Sequence, residues 1–138
     1  MMSVSSREGI LERAKESLQL LACAADAQIR LLPSFVCAAD ELALDFDHWR
    51  EVLIENCGSE LTAEQIASLA AIDGVFSRFS RGGSDYKPEF WTDEALRNSQ
   101  DWEFVRREAK QALARFGWPA AIPPSHADEY VGPEEGKS

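Results

Sequence analysis

Between Asp40 and Asn56 the apolar residues return at a helical interval. At about 100° per residue, Leu42, Phe46, Trp49, Leu53 and Cys57 fall within a stripe about 80° wide, which specifies a helix with one buried face. Gly58 follows as a plausible C-terminal cap. A helix of this kind buries its stripe only against other elements, so the rest of the chain must supply matching apolar faces.

It does so in several segments. Ser5 and Ser6 followed by Glu8 form a start signal, after which Ile10, Leu11, Ala14, Leu18 and Leu21 share one side. A short helix is expected over Ala25–Leu32, stopped by Pro33, and the apolar run from Leu31 to Val36 should pack. Thr62 and Gln65 have the spacing of a capping box, with Leu61 and Ile66 placed to staple across it. The helix they start runs to about Phe79 with a wide apolar face. Its remaining surface is small (Ala63, Ala67, Ala70, Ala71, Gly74), so it is expected to be approached from two sides and to lie centrally. Gly82 and Gly83 should end it, and a polar loop leads to Trp91. Thr92 caps a short helix, and Ser99 caps a last long one carrying Trp102, Val105, Ala109, Ala112, Leu113 and Phe116 on one face. Gly117 and Pro119 should terminate that helix. The expected fold is therefore all-α: a single-domain bundle of about five to six helices over residues 1–117, followed by an extended, proline-containing acidic tail over 118–138. Trp118, Ile122, Tyr130 and Val131 should hold that tail on the protein's own surface or on a neighbouring molecule, and a homodimer through the tail is one outcome.

The chain has 138 residues, with 14 basic and 24 acidic side chains and a net charge of −10, which disfavours nucleic acid and acidic membrane surfaces as partners. The excess is local. Residues 1–39, 65–90 and 91–117 each balance to zero, whereas residues 40–64 hold eight acids against Arg50 alone and the tail supplies the remaining −3. On the wheel, Asp40, Asp47, Glu51 and Glu55 lie opposite the apolar stripe, flanked by Glu41 and Asp45, with Leu44, His48 and Ile54 among or beside them. Aliphatic side chains ringed by carboxylates describe either a second packed neighbour or a docking surface for a basic protein. In the second case Asp40, Leu44, Asp47, His48, Glu51, Ile54 and Glu55 form the partner-binding set: the carboxylates steer and Leu44 anchors.

Catalytic chemistry finds little support. Asp45 and His48 have the spacing of half a carboxylate-rich metal site, but the other histidine, His126, lies in the tail, so no metal or cofactor is expected. No nucleophile elbow appears, and the Ser80-to-Ser84 glycine segment follows a helix instead of preceding one as a phosphate loop would. Asp73, near the apolar side of its helix, calls for a partner such as an arginine. The rival reading is a small-ligand binder or enzyme with an inter-helix pocket using Asp45, His48, Asp73 or Arg78. Cys23, Cys37 and Cys57 match neither a disulfide framework nor metal-ligand spacing and are expected as free, buried thiols. With no signal-like segment and no apolar run of membrane length, a cytoplasmic location is expected.

The segment Leu32-Pro33-Ser34-Phe35-Val36, continued by Asp40-Glu41-Leu42-Ala43-Leu44-Asp45-Phe46-Asp47-His48-Trp49, resembles a phrase of small bacterial proteins of unknown function. The resemblance covers the middle third of the chain and carries over no functional residue. In general type the chain is also similar to immunity proteins, which neutralise toxins through acidic surfaces. That likeness implies a non-enzymatic, immunity- or antitoxin-like interaction protein.

Overall fold

A computed structural model describes residues 6–124. Among them there are six α-helices and no strand: α1 (Arg7–Ala22), α2 (Ala25–Leu31), α3 (Ala38–Cys57), α4 (Ala63–Phe79), α5 (Asp93–Asn98) and α6 (Gln100–Phe116). Single 3₁₀ turns occupy Gly58–Glu60 and Pro88–Trp91. No helix among the described residues is long and apolar enough to cross a membrane.

The starts are set by local hydrogen bonds. The Ser6 hydroxyl accepts from the Gly9 amide at 3.0 Å. The Thr62 hydroxyl accepts from the Gln65 amide at 3.0 Å while the Thr62 amide donates to Gln65 Oε1 at 2.8 Å, which completes the capping box. Ser99 caps α6, and the helix ends on left-handed Gly117 (φ 74°). There the Gly117 amide donates to Ala114 and the Trp118 amide to Leu113, so these two carbonyls of the last turn are satisfied by the chain itself.

Packing places α1 against both α3 and α6, and α6 against both α1 and α4, whereas α3 and α4 touch only sparsely. The centre is thus α6, whose Trp102, Val105, Ala109, Ala112 and Leu113 are all buried. The expectation that α4 is central does not hold. Its Ala63, Ala67, Ala70 and Gly74 face solvent, because small residues tolerate burial without demanding it. Three further corrections concern single side chains. Trp49 sits half-buried at the edge of the α3 stripe rather than in the core, Phe35 is exposed, and Cys37 is an exposed thiol while Cys23 and Cys57 are buried.

Aromatic rings join the elements. Phe76 of α4 lies 5.9 Å from Phe46 of α3, 5.5 Å from Trp102 of α6, and 6.3 and 6.2 Å from Phe90 and Trp91 of the 3₁₀ turn. Phe90 stacks on Trp102 at 4.6 Å and 8°, and its carbonyl accepts the Trp102 indole N–H at 2.8 Å, so the indole is buried without an orphaned donor. Beyond α6, Gln19 Nε2 donates to the Pro119 carbonyl at 2.9 Å and Trp118 stacks on Phe116, which lays the first part of the tail on α1. Ile122 nevertheless points to solvent. Tyr130, Val131 and His126 lie outside the described residues.

The Gln28 side chain is fully enclosed. Gln28 of α2 donates to the carbonyls of Leu20 and Leu21 at the end of α1, at 3.1 and 3.0 Å, and its Oε1 accepts from Arg106 at 3.4 Å. Replacing Gln28 by leucine keeps the approximate volume but removes the side-chain donor to the Leu21 carbonyl and the acceptor for Arg106, while Leu20 keeps the Cys23 amide, a loss of about 1–3 kcal/mol. Urea unfolding of Gln28→Leu should show that decrease; an unchanged midpoint would mean that water reaches these groups.

Candidate functional site

α3 and α4 meet sparsely, and the seam between them is bridged by the Phe46–Phe76 ring pair and by an ion pair between Arg50 and Asp73 at 3.5 Å. Above the seam lies a groove of about 720 Å³, open to solvent. The α3 wall is Asp40, Ala43, Leu44 and Asp47; Asp73, Phe76 and Ser77 come from α4; Ser80, Arg81, Tyr86, Pro88 and Trp91 come from the segment that follows. Two of the large apolar side chains most exposed on the molecule, Leu44 and Tyr86, stand in this one place.

The third wall is held by the end of α4. A helix leaves its last carbonyls without intrahelical donors, and here the following segment folds back to supply them. The Ser80 hydroxyl donates to the Phe76 carbonyl, the Asp85 amide to Arg78 at 3.0 Å, and the Lys87 amide and Trp91 indole both to Phe79, at 3.2 and 2.9 Å. The reversal takes left-handed Gly82 (φ 88°) and a close pass at Gly83, where a Cβ would lie 2.1 Å from the Ser77 carbonyl oxygen. The two glycines therefore do not cap α4 directly, as sequence reasoning expects; Ser80 is extended, and the glycines serve the turn beyond it. The exposed Cys37 thiol, at the N-cap of α3, donates to the Trp91 carbonyl at 3.5 Å and ties this wall to the opposite one.

The electrostatics are one-sided. Arg50, the sole base in the acid-rich segment 40–64, is drawn across the seam to Asp73, and Arg7 pairs with Glu60. Among the described residues no ion pair reaches Asp40, Asp47, Glu51 or Glu55. Asp40 and Glu41 lie in the first turn of α3, where the helix dipole favours negative charge. Even so, burial, followed by the charges of Asp45 and Asp40, holds the Glu41 carboxyl above its usual range.

Of the partner-binding residues expected from sequence, the structure brings Asp40, Leu44 and Asp47 into the groove. The other four lie farther along α3. His48 is exposed with its ring edge-on to Trp49 at 4.6 Å, Glu51 and Glu55 are exposed, and Ile54 is half-buried beside Gly58. Of the residues named for a ligand pocket, only Asp73 lines the groove, with Arg50 as the arginine its position called for. Asp45 is half-buried, and Arg78 is engaged with Asp85 at 3.0 Å and with the Phe79 ring at 4.7 Å. Among the described residues no three His, Cys, Asp or Glu side chains converge as metal ligands. Sequence reasoning missed Phe76, Arg81, Tyr86 and Trp91 as groove residues. The available signal was the adjacent glycine pair with aromatics on both sides, which marks a chain reversal beside an apolar surface.

Comparison with known proteins gives no match: no family model, no curated protein and no solved structure aligns significantly with this chain.

Because the Gly83 Cβ position collides with backbone, Gly83→Ala should force the third wall away from α4 and cost about 1–3 kcal/mol. Thermal unfolding, together with a change in the fluorescence of the half-buried Trp91 indole, checks this. An unchanged melting curve would show that the turn lies farther from Ser77.

Proposed function

We propose that this chain is a non-enzymatic interaction protein that presents the acidic front of α3 to a basic segment of a partner protein, in the manner of an immunity- or antitoxin-like inhibitor. The observation that carries this reading is that Asp40 and Asp47 stand, among the described residues, without ion pairs around an exposed Leu44, on the wall of an open groove with an aromatic floor. Carboxylates outside any ion pair keep their field for an incoming cation, and an exposed aliphatic among them gives that encounter apolar area to bury. Glu51 and Glu55, farther along the same helix, extend the field without lining the groove.

The groove's size also lies within the range of small-molecule sites, which supports the second reading, a small-ligand binder. Its lining holds serines and aspartates but no histidine, lysine or cysteine, and it is open rather than enclosed. Those features favour a polypeptide segment over a reaction centre.

The test is charge reversal. Immobilised protein should retain basic polypeptides at about 0.05 M salt and release them by about 0.5 M, while Asp47→Lys combined with Glu51→Lys should retain none. Equal retention by the double variant would contradict the proposal.

A further inference from the structure

The groove selects not only charge but shape of charge. The charged groups that line it are Asp40 and Asp47 on the α3 wall, Asp73 on α4 and Arg81 on the loop wall. Asp73 is shared with Arg50 at 3.5 Å, longer than a strong charge-assisted bond. Asp40 and Asp47 have no ion pair among the described residues. The same lining includes Leu44, Phe76, Tyr86 and Trp91, which give it aromatic rings and one large aliphatic side chain.

A compact, strongly hydrated ammonium gains little from such a surface. A guanidinium is planar and weakly hydrated, stacks on aromatic faces, and meets a carboxylate with two parallel N–H donors. Cation–ring contacts already occur at this corner: Arg81 lies 5.4 Å over the Tyr86 ring of the groove, and behind it both Arg78 at 4.7 Å and Lys87 at 4.8 Å lie over Phe79. Arg81 also repels an incoming cation from the loop wall, which directs it toward Asp40 and Asp47.

We propose that the groove is an arginine-reading site: an arginine of a partner's basic segment lays its stem on Leu44 and its guanidinium against Asp47 and Asp40, beside the Tyr86 and Trp91 rings. This rests on the reading of the groove as a docking site for a basic segment. Arg81 is the internal cation that this arginine must oppose.

The experiment compares three short peptides of alternating glycine with arginine, lysine or uncharged citrulline, titrated by calorimetry into the full chain at about 0.15 M salt. The arginine peptide should bind at least about fivefold more tightly than the lysine peptide, as stacking of a partly desolvated guanidinium implies, and the citrulline peptide should not bind. Asp47→Asn should weaken arginine binding, and Arg81→Ala should strengthen it by removing the opposing charge, both with unchanged melting curves. Equal affinity for arginine and lysine peptides would overturn the arginine inference while leaving a basic docking site in place. Absence of binding by both cationic peptides, even at about 0.05 M salt, would overturn the docking reading as well. An arginine preference that neither substitution alters would place the binding elsewhere and overturn the assignment to this groove.

Discussion

The ring of Phe76 carries the arrangement on which the rest depends. It is in contact range of Phe46 on α3, Trp102 on α6, and Phe90 and Trp91 on the connecting turn, and it is nearly fully buried while still forming part of the groove floor. Each aromatic pair of this kind adds about 0.5–1.5 kcal/mol beyond the area it buries. One side chain thus fixes the distance between two helices that otherwise barely meet, and the opening above it is a consequence. Had α3 and α4 packed along their length, Leu44 and Asp47 would have faced another helix.

The second constraint is the end of α4. Three carbonyls of its last turn are answered by groups from residues 80–91, so a segment with little periodicity is tied back onto the helix. This converts a loop into a wall, and it places Arg81 and Tyr86 opposite α3. The charge asymmetry has a similar origin: the one arginine of the acid-rich segment spends its charge across the seam on Asp73, which leaves the front of its own helix uncompensated.

Helix placement was legible in the sequence because caps and periodicity are local. Thr62 with Gln65, Ser99 and Gly117 behave as their residue types require, and the apolar faces of α3 and α6 are buried apart from the half-exposed Trp49 and Phe116. What could not be read was which helix is central and what faces α3. Alanine and glycine along α4 permit burial or exposure equally, so their abundance did not identify a neighbour. The groove depends on hydrogen bonds spanning 12 residues, such as Trp91 to Phe79, and on a ring cluster drawn from four elements; neither has a local signature. The acidic front of α3 was visible from spacing alone, but its division into a groove half around Leu44 and an open half around Glu51 and Glu55 was not.

The central claim is that cations are received above the α3–α4 seam. Backbone amide shifts recorded while an arginine-rich peptide is added test it most directly. The account predicts that the changes concentrate at residues 40–47, 73–83 and 86–91 and are abolished by high salt. Changes spread along residues 51–60, or confined to α1 and the start of the tail, would contradict it.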